Sequence, residues 1–151
     1  MHTQNGLVLE RTDICYLIEE TTVRYQSIIE EKKIILSLSC PLDTYWIVAS
    51  EIVLGEVIEV LLKNMLELSD EMNVIEISIA PGDLFLTLDF LNRSQSTEAE
   101  KLHAFFTDSE NMYHTSLYKA AELTMHELKG EIIYGTSEEA GTFFRLKIKE
   151  S

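Results

Sequence analysis

The stretch Ser50–Ser69, SEIVLGEVIEVLLKNMLELS, decides the fold of this chain. Apolar residues cover most of the surface of the helix that it predicts, so we expect the helix to be buried on several sides, against a sheet. Ser50 can cap the first turn, because a serine hydroxyl accepts a hydrogen bond from a free backbone N–H. Asn64 is a polar residue on this otherwise apolar helix. An amide in this place, followed by two strands and a polar loop, indicates a nucleotide or metal site.

Strand and helix patterns on both sides of this helix predict an α/β (α+β) protein. Their order predicts a two-layer sandwich in which one mixed, largely antiparallel sheet is covered by helices. We expect residues 91–98 to form a polar loop and Gly130 to cap the last helix. The predicted segments are a strand at Leu7–Glu10, a helix from Thr12 or Asp13 through Ile29, strands at Ile34–Ser39 and Tyr45–Val48, a hairpin of Val74–Ile79 and Leu84–Phe90, helices at Ala99–Phe106 and Ser116–Lys129, and a closing hairpin of Glu131–Tyr134 and Thr142–Ile148.

The net charge of -14 restricts the classes of partner. A nucleic-acid-binding protein needs a basic stripe that displaces counterions, and adsorption to an anionic membrane needs basic residues as well. We therefore expect neither nucleic acid nor direct membrane contact. A length of 151 residues fits a single domain over residues 1–151.

Cysteine usage and the N-terminus predict a cytoplasmic location. Cys15 and Cys40 have no partner at zinc-ligand spacing, so buried free thiols in a reducing compartment are the expected state. The sequence carries no apolar signal region, and no apolar run reaches the ~20 residues of a membrane span.

From Leu7 to Ile148 the chain resembles the catalytic, ATP-binding domain of sensor histidine kinases, the Bergerat-fold group. Leu54–Asn64 is similar to the asparagine box of that family, with Glu56 where glutamine is frequent. Lys129–Ile132 and Ala140–Phe144 resemble the end of the last helix and the closing hairpin. The resemblance implies a Bergerat-like fold and a site for ATP and Mg2+. By this resemblance, Asn64 takes the place of the residue that helps to coordinate the magnesium ion, for which an amide oxygen is a suitable ligand.

The sequence departs from the family pattern at the residues that hold nucleotide. Val60 replaces a second asparagine, and Glu67 replaces a lysine. The first glycine box, Asp-x-Gly-x-Gly in the family, reads Asn92-Arg93-Ser94-Gln95-Ser96, so that Asn92 replaces the aspartate that accepts the adenine amino group. Ser94 and Ser96 replace glycines, which permit positive φ and close backbone approach to a ligand.

The second glycine box is expected near His114–Leu117, and it contains no glycine. The chain has none between Gly82 and Gly130. The loop Thr107–Thr115 is also short for a lid over ATP. The residues that could bind nucleotide are thus Asn64, Asn92, Ser94 and Ser96, with Asn64 as the only expected metal ligand.

His126–Lys129 is similar to the phosphoacceptor box of histidine kinases, which begins His-Glu-x-Lys/Arg. That box normally lies on a separate dimerising hairpin of two long helices, whereas here it ends the last predicted helix. A pattern of four residues arises easily by chance. We therefore interpret it as a coincidence and predict no acceptor-histidine dimerisation domain in this chain.

Two functions from different classes remain open. We favour a degenerate histidine-kinase-type ATPase domain that docks a regulatory protein in two-component-type signalling, with no catalytic residue and no cofactor. Its partner would be a histidine kinase, a response regulator or a phosphotransfer protein. The alternative is a divergent ATP- and Mg2+-binding kinase domain that phosphorylates a partner in trans, as a histidine kinase or an anti-sigma-type serine kinase. In the first case Asn64 only bonds to nearby backbone, and in the second it binds magnesium.

Overall fold

A computed structural model describes residues 2–4, 7–39, 45–94, 98–107 and 115–149. The predictions for Cys40, Ser96, His114 and most of the loop Thr107–Thr115 lie outside these residues. The elements in chain order are β1 (His2–Gln4), β2 (Leu7–Asp13), α1 (Ile14–Arg24), α2 (Gln26–Glu31), β3 (Ile35–Ser39), β4 (Trp46–Ala49), α3 (Glu51–Leu68), β5 (Val74–Ala80), β6 (Phe85–Asn92), α4 (Ala99–Thr107), α5 (Thr115–Glu127), β7 (Glu131–Ser137) and β8 (Gly141–Lys149).

The main sheet has five strands in the order β3-β5-β6-β8-β7. β3 runs parallel to β5, and every other pair is antiparallel. This mixed, mostly antiparallel sheet packs against helices, which confirms the predicted α+β class. Side chains on one face of the central strands β5, β6 and β8 are buried and form the core with the helices.

The prediction of one sheet is incomplete. β2 pairs antiparallel with β4, and β1 pairs with β2, so these three strands form a second sheet. The alternation of apolar residues shows where a strand lies, but it does not show which strand is its partner. The short strand β1 had no apolar pattern and was not predicted.

Helix α3 lies at the centre of the helical layer, between α1 and α5 and against β6. Its N-terminus is capped as expected, since the Ser50 hydroxyl accepts a hydrogen bond from the Val53 N–H at 3.3 Å. No helix in the described part of the chain is long and apolar enough to cross a membrane. The buried residues of α3 are Val53, Leu54, Val57, Ile58, Leu61, Leu62, Asn64, Met65 and Leu66.

Two predicted helix boundaries are corrected. The first helix does not continue through Ile29, because Tyr25 leaves the helical region (φ -104°, ψ 13°) and separates α1 from α2. At the end of α5 the left-handed residue is Lys129, with φ of 56°, and not Gly130. Gly130 is needed for a different reason: a Cβ there would lie 1.9 Å from the Lys147 carbonyl oxygen, because β7 begins in close contact with β8.

Strand β6 is longer than predicted and carries a site residue at its end. Leu91 and Asn92, which we placed in a polar loop, pair with Phe143 and Thr142 of β8. The strand continues because its neighbour β8 offers backbone partners as far as Thr142. Asn92 therefore sits on a rigid strand, and not on a loop.

Candidate functional site

Asn92 is the last residue of β6, and its side chain is buried, with 1% of its surface exposed. Its amide nitrogen donates two hydrogen bonds, to the Ser69 hydroxyl at 2.8 Å and to the Asn73 side-chain oxygen at 3.0 Å. Its amide oxygen accepts a bond from the Ser94 N–H at 3.0 Å. Because a backbone N–H can only donate, this contact fixes which end of the amide is oxygen. Both amide hydrogens of Asn92 are thus used inside the protein.

The partners of Asn92 belong to the segment that links α3 to β5. The Ser69 hydroxyl donates to the Met65 carbonyl at 2.7 Å, so it accepts from Asn92 with its lone pair. The Asn73 oxygen also accepts from the Asp70 N–H at 2.9 Å. These bonds join the C-terminal turn of α3 to the end of β6 in one polar network.

Lys32 also stabilises this segment. Its ammonium donates to the carbonyl oxygens of Leu66 and Ser69, at 2.8 and 3.0 Å. These carbonyls belong to the last turn of α3, where backbone oxygens lack helical partners and a cation is favourable. The positive charge of Lys32 is thus engaged at the end of the helix.

Asn64 lies one turn earlier on α3 and is 2% exposed. Its amide nitrogen donates to the Val60 carbonyl at 2.8 Å and makes a longer contact of 3.4 Å with the Ser116 hydroxyl on α5. The bond to Val60 spans four residues of the same helix, a common way for a polar side chain to be satisfied within an apolar helix. The contact with Ser116 places Asn64 at the junction of α3 and α5.

The charged side chains near these residues do not form an anion site in the described part of the chain. Arg93 follows Asn92 directly, but its guanidinium pairs with Glu76 at 2.7 Å. Glu67 is exposed on α3, three residues after Asn64, and adds a negative charge there. Among the described residues no three His, Cys, Asp or Glu side chains converge as metal ligands would.

A groove runs between α3 and α5 beside Asn64. Its narrower part, of about 70 Å3, is lined by Val57, Val60, Ala120 and Leu123 together with Ser116. Its open part, of about 380 Å3, continues along α5. Its rim carries the charged side chains Glu56, Lys119, Glu122 and Glu127 and the imidazole of His126. The groove thus combines an apolar floor with a rim on which carboxylates outnumber the lysine.

His126 lies exposed on this rim at the end of α5, next to Glu127. Glu122, one turn earlier, accepts a hydrogen bond from the Tyr118 hydroxyl, which raises the pKa of Tyr118. The surroundings of His126 are therefore rich in carboxylate.

The structure brings together, at one end of α3, the three predicted site residues that it describes. Asn92 and Ser94 share a hydrogen bond there, and Asn64 lies one turn away on the helix. Sequence reasoning missed Ser69, Asn73 and Ser116 as their partners. These residues are distant from Asn92 and Asn64 in sequence or look like ordinary loop and helix-start residues, so only the fold could identify them.

By sequence, the chain matches no protein family and no characterised protein. By structure, it matches histidine kinases over nearly its whole length. The catalytic domain of the histidine kinase ThkA, in a nucleotide-free form, superimposes with a TM-score of 0.84 at 19% identity, covering 95% of this chain and 99% of that chain.

Two other matches are to structures of complexes. ThkA bound to the response regulator TrrA gives a TM-score of 0.80 at 20% identity, over 95% of this chain and 43% of that chain. Full-length ShkA bound to AMPPNP gives 0.78 at 17% identity, over 96% of this chain and 32% of that chain. The fold is therefore that of histidine kinase catalytic domains.

Proposed function

We propose that this chain, which has the fold of a histidine kinase catalytic domain, is a single degenerate domain of that type that docks a regulatory protein in two-component-type signalling. It uses the fold as a scaffold and binds little or no ATP. Its partner is a histidine kinase, a response regulator or a phosphotransfer protein.

The observation that carries the proposal is the internal use of the Asn92 amide. At this position the family pattern has a carboxylate that accepts a hydrogen bond from adenine. Here a neutral amide has both hydrogens and one oxygen lone pair engaged by Ser69, Asn73 and Ser94. Adenine would have to use the second lone pair of this oxygen, and a bond to a neutral, 1% exposed amide is weaker than the charge-assisted bond to the carboxylate of the family pattern.

The residues around Asn64 also fit phosphate poorly. Glu67 is exposed and stands where the family pattern has a lysine. A carboxylate in that place repels phosphate. Ser94 carries a side chain where glycine permits a close approach of backbone to ligand.

The docking part of the proposal is supported by the comparisons and by the groove between α3 and α5. ThkA is found in a complex with a response regulator, which makes a regulatory protein a reasonable partner for this fold. The groove offers an apolar floor, and the carboxylates Glu56, Glu122 and Glu127 on its rim complement a basic partner surface.

A binding assay tests the docking. Receiver domains and dimerisation domains of two-component proteins from the same genome are titrated against the immobilised chain. We expect one of them to bind, and the combined change Glu56→Lys with Glu122→Lys to weaken this binding about tenfold or more, mainly through a slower association rate.

The matched control changes two exposed carboxylates away from the groove, Glu19→Lys with Glu20→Lys on α1. It alters the net charge by the same amount and should leave the affinity within about threefold, since distant surface charges are screened. Equal losses in both variants would mean that only net charge matters, and the groove would not be the docking surface. Binding by none of the tested domains would count against the docking function.

The alternative, a working kinase domain, makes different predictions. It requires transfer of labelled phosphate from ATP to a histidine or serine of a partner, and loss of this transfer in Asn64→Ala. Binding to a sigma factor or its antagonist would indicate an anti-sigma-type switch. For a degenerate docking domain we expect no transfer of phosphate from ATP to a partner.

A further inference from the structure

β3 is an edge strand of the main sheet, and no strand in the described part of the chain pairs with its outer edge. It pairs with β5 on one side only. Its sequence, Ile35-Leu36-Ser37-Leu38-Ser39, contains no charged residue, no proline and no glycine. Natural proteins usually protect such an edge with charges, prolines or bulges, because unpaired backbone groups attract another strand.

The opposite edge of the sheet, β7, differs in this respect. It begins with Glu131 and contains Gly135 in its interior. A charge and an interior glycine both weaken the pairing of a further strand. Of the two edge strands of this sheet, only β3 therefore lacks these protective features.

The backbone geometry shows which groups of β3 face outward. The Ile35 N–H donates to the Asn73 carbonyl next to β5, and Ile35 is the register partner of Val74. In a parallel ladder the groups of alternate residues point to the same neighbour. Ile35, Ser37 and Ser39 therefore bond toward β5, while the N–H and C=O groups of Leu36 and Leu38 point to the free edge.

These four outward-facing groups, which pair with no other described strand, match those of a second copy of the same strand. When two copies run antiparallel with Ser37 on the two-fold axis, Leu36 of one copy lies opposite Leu38 of the other. In an antiparallel sheet, residues in a hydrogen-bonded pair exchange both backbone bonds. Four hydrogen bonds then form, and every outward-facing group of Leu36 and Leu38 in both copies has a partner.

The side chains agree with this register. Leu36 packs against the hydrophobic core, and Leu38, on the same face of the strand, is 42% exposed. In the paired arrangement Leu38 is covered by Leu36 of the second copy, so the apolar layer continues across the axis. Such a contact is an isologous interface, in which the same surface serves both copies.

We propose that β3 is a self-association surface, through which two copies of this chain join antiparallel about Ser37 into one continuous ten-stranded sheet. This function is independent of the docking groove. The contact is small, and the two chains repel each other because each carries a net charge of -14. We therefore expect a weak dimer, with Kd on the order of 0.1–1 mM.

Sedimentation equilibrium from about 10 µM to 1 mM tests the proposal. We expect a reversible monomer–dimer equilibrium that strengthens as salt is raised from about 50 to 500 mM, because salt screens the repulsion between the acidic chains. Docking to a basic partner would weaken under the same change, so the two activities are distinguishable. Leu38→Lys should weaken the dimer about tenfold.

The control is Leu84→Lys, which changes another exposed leucine, 66% exposed and located in the bend before β6. It adds the same charge and should not weaken the dimer. A monomer at all concentrations, or equal effects of the two substitutions, would overturn the proposal.

A cross-link tests the register. With Cys40→Ser as background, Ser37→Cys should form an intermolecular disulfide under mild oxidation, because opposite residues of a non-hydrogen-bonded antiparallel pair have Cα atoms about 4.5 Å apart. Ser27→Cys, at an exposed position on α2, is the control and should cross-link much more slowly. Equal rates for the two variants would contradict pairing about Ser37.

Discussion

The side-chain amide of Asn92 donates a 2.8 Å hydrogen bond to the hydroxyl of Ser69, and this bond joins the end of β6 to the segment that follows α3. The two residues are 23 positions apart in the sequence. The same amide also bonds Asn73 and Ser94. A residue expected to contact adenine is thereby part of the structural framework.

The first prediction concerns the stability that this network provides. Asn92→Ala should lower the free energy of unfolding by about 2–3 kcal/mol, because it removes three hydrogen bonds and leaves the Ser94 N–H without its partner. Urea unfolding at neutral pH measures the change. Gln26→Ala, which removes an amide from the exposed surface of α2, is the control and should cost less than about 0.5 kcal/mol. A loss for Asn92→Ala as small as that of the control would show that the network contributes little.

The second prediction compares two glycines. Gly141 has φ of 84°, and a Cβ there would lie 2.0 Å from the Asn92 carbonyl oxygen. Gly141→Ala should therefore destabilise the protein by about 3 kcal/mol or more, since backbone must move. Gly55 lies within α3, and a Cβ there would meet only Leu17 Cδ2, at 4.0 Å.

Gly55→Ala is the matched control, and it should raise the stability by about 0.5–1 kcal/mol through the higher helix propensity of alanine. Thermal and urea unfolding measure both variants. If Gly141→Ala unfolded at the same urea concentration as the unchanged protein, the tight contact between β8 and the end of β6 would be refuted.

The third prediction concerns pH. Burial and a 2.9 Å hydrogen bond to Glu59 raise the pKa of Tyr25 from 10.0 to about 12. Because the folded-state pKa lies above the unfolded value, this tyrosine contributes stability that is complete below pH 10. The contribution is lost as the pH rises from 10 to 12.

Tyr25→Phe removes both the bond and its dependence on pH. At pH 8 the variant should be less stable by about 1 kcal/mol, and this difference should shrink above pH 10. Urea midpoints at pH 8, 9, 10 and 11 measure it. Tyr16→Phe, on the exposed side of α1, is the control and should leave the pH profile unchanged. A difference that stays constant up to pH 11 would argue against the role of Tyr25.

Local signals in the sequence were sufficient for much of the fold. The dense apolar pattern of α3, its cap at Ser50 and the alternating strands β5 and β6 were predicted because each depends on nearby residues. The order of these elements predicted the sandwich architecture, and the resemblance to histidine kinase catalytic domains agreed with it.

The features that were missed depend on long-range contacts. The second sheet arises from the pairing of β2 with β4, and the extension of β6 to Asn92 arises from its neighbour β8. Likewise, Ser69 and Asn73 became hydrogen-bond partners of Asn92 only through folding. Gly130 is a similar case. A glycine is needed there because the Lys147 carbonyl on β8 lies too close for a Cβ, and not because of the helix end.

The absence of a working nucleotide site is tested most directly by titrating the 15N-labelled chain with ATP and Mg2+ and following the side-chain amide signals of Asn92 and Asn64 by NMR. We expect both signals to stay in place up to about 5 mM nucleotide and the melting temperature not to rise, because a ligand that binds the native state must stabilise it. Saturable shifts of these two signals, accompanied by a rise in melting temperature that Asn64→Ala abolishes, would contradict this expectation and establish a working nucleotide site.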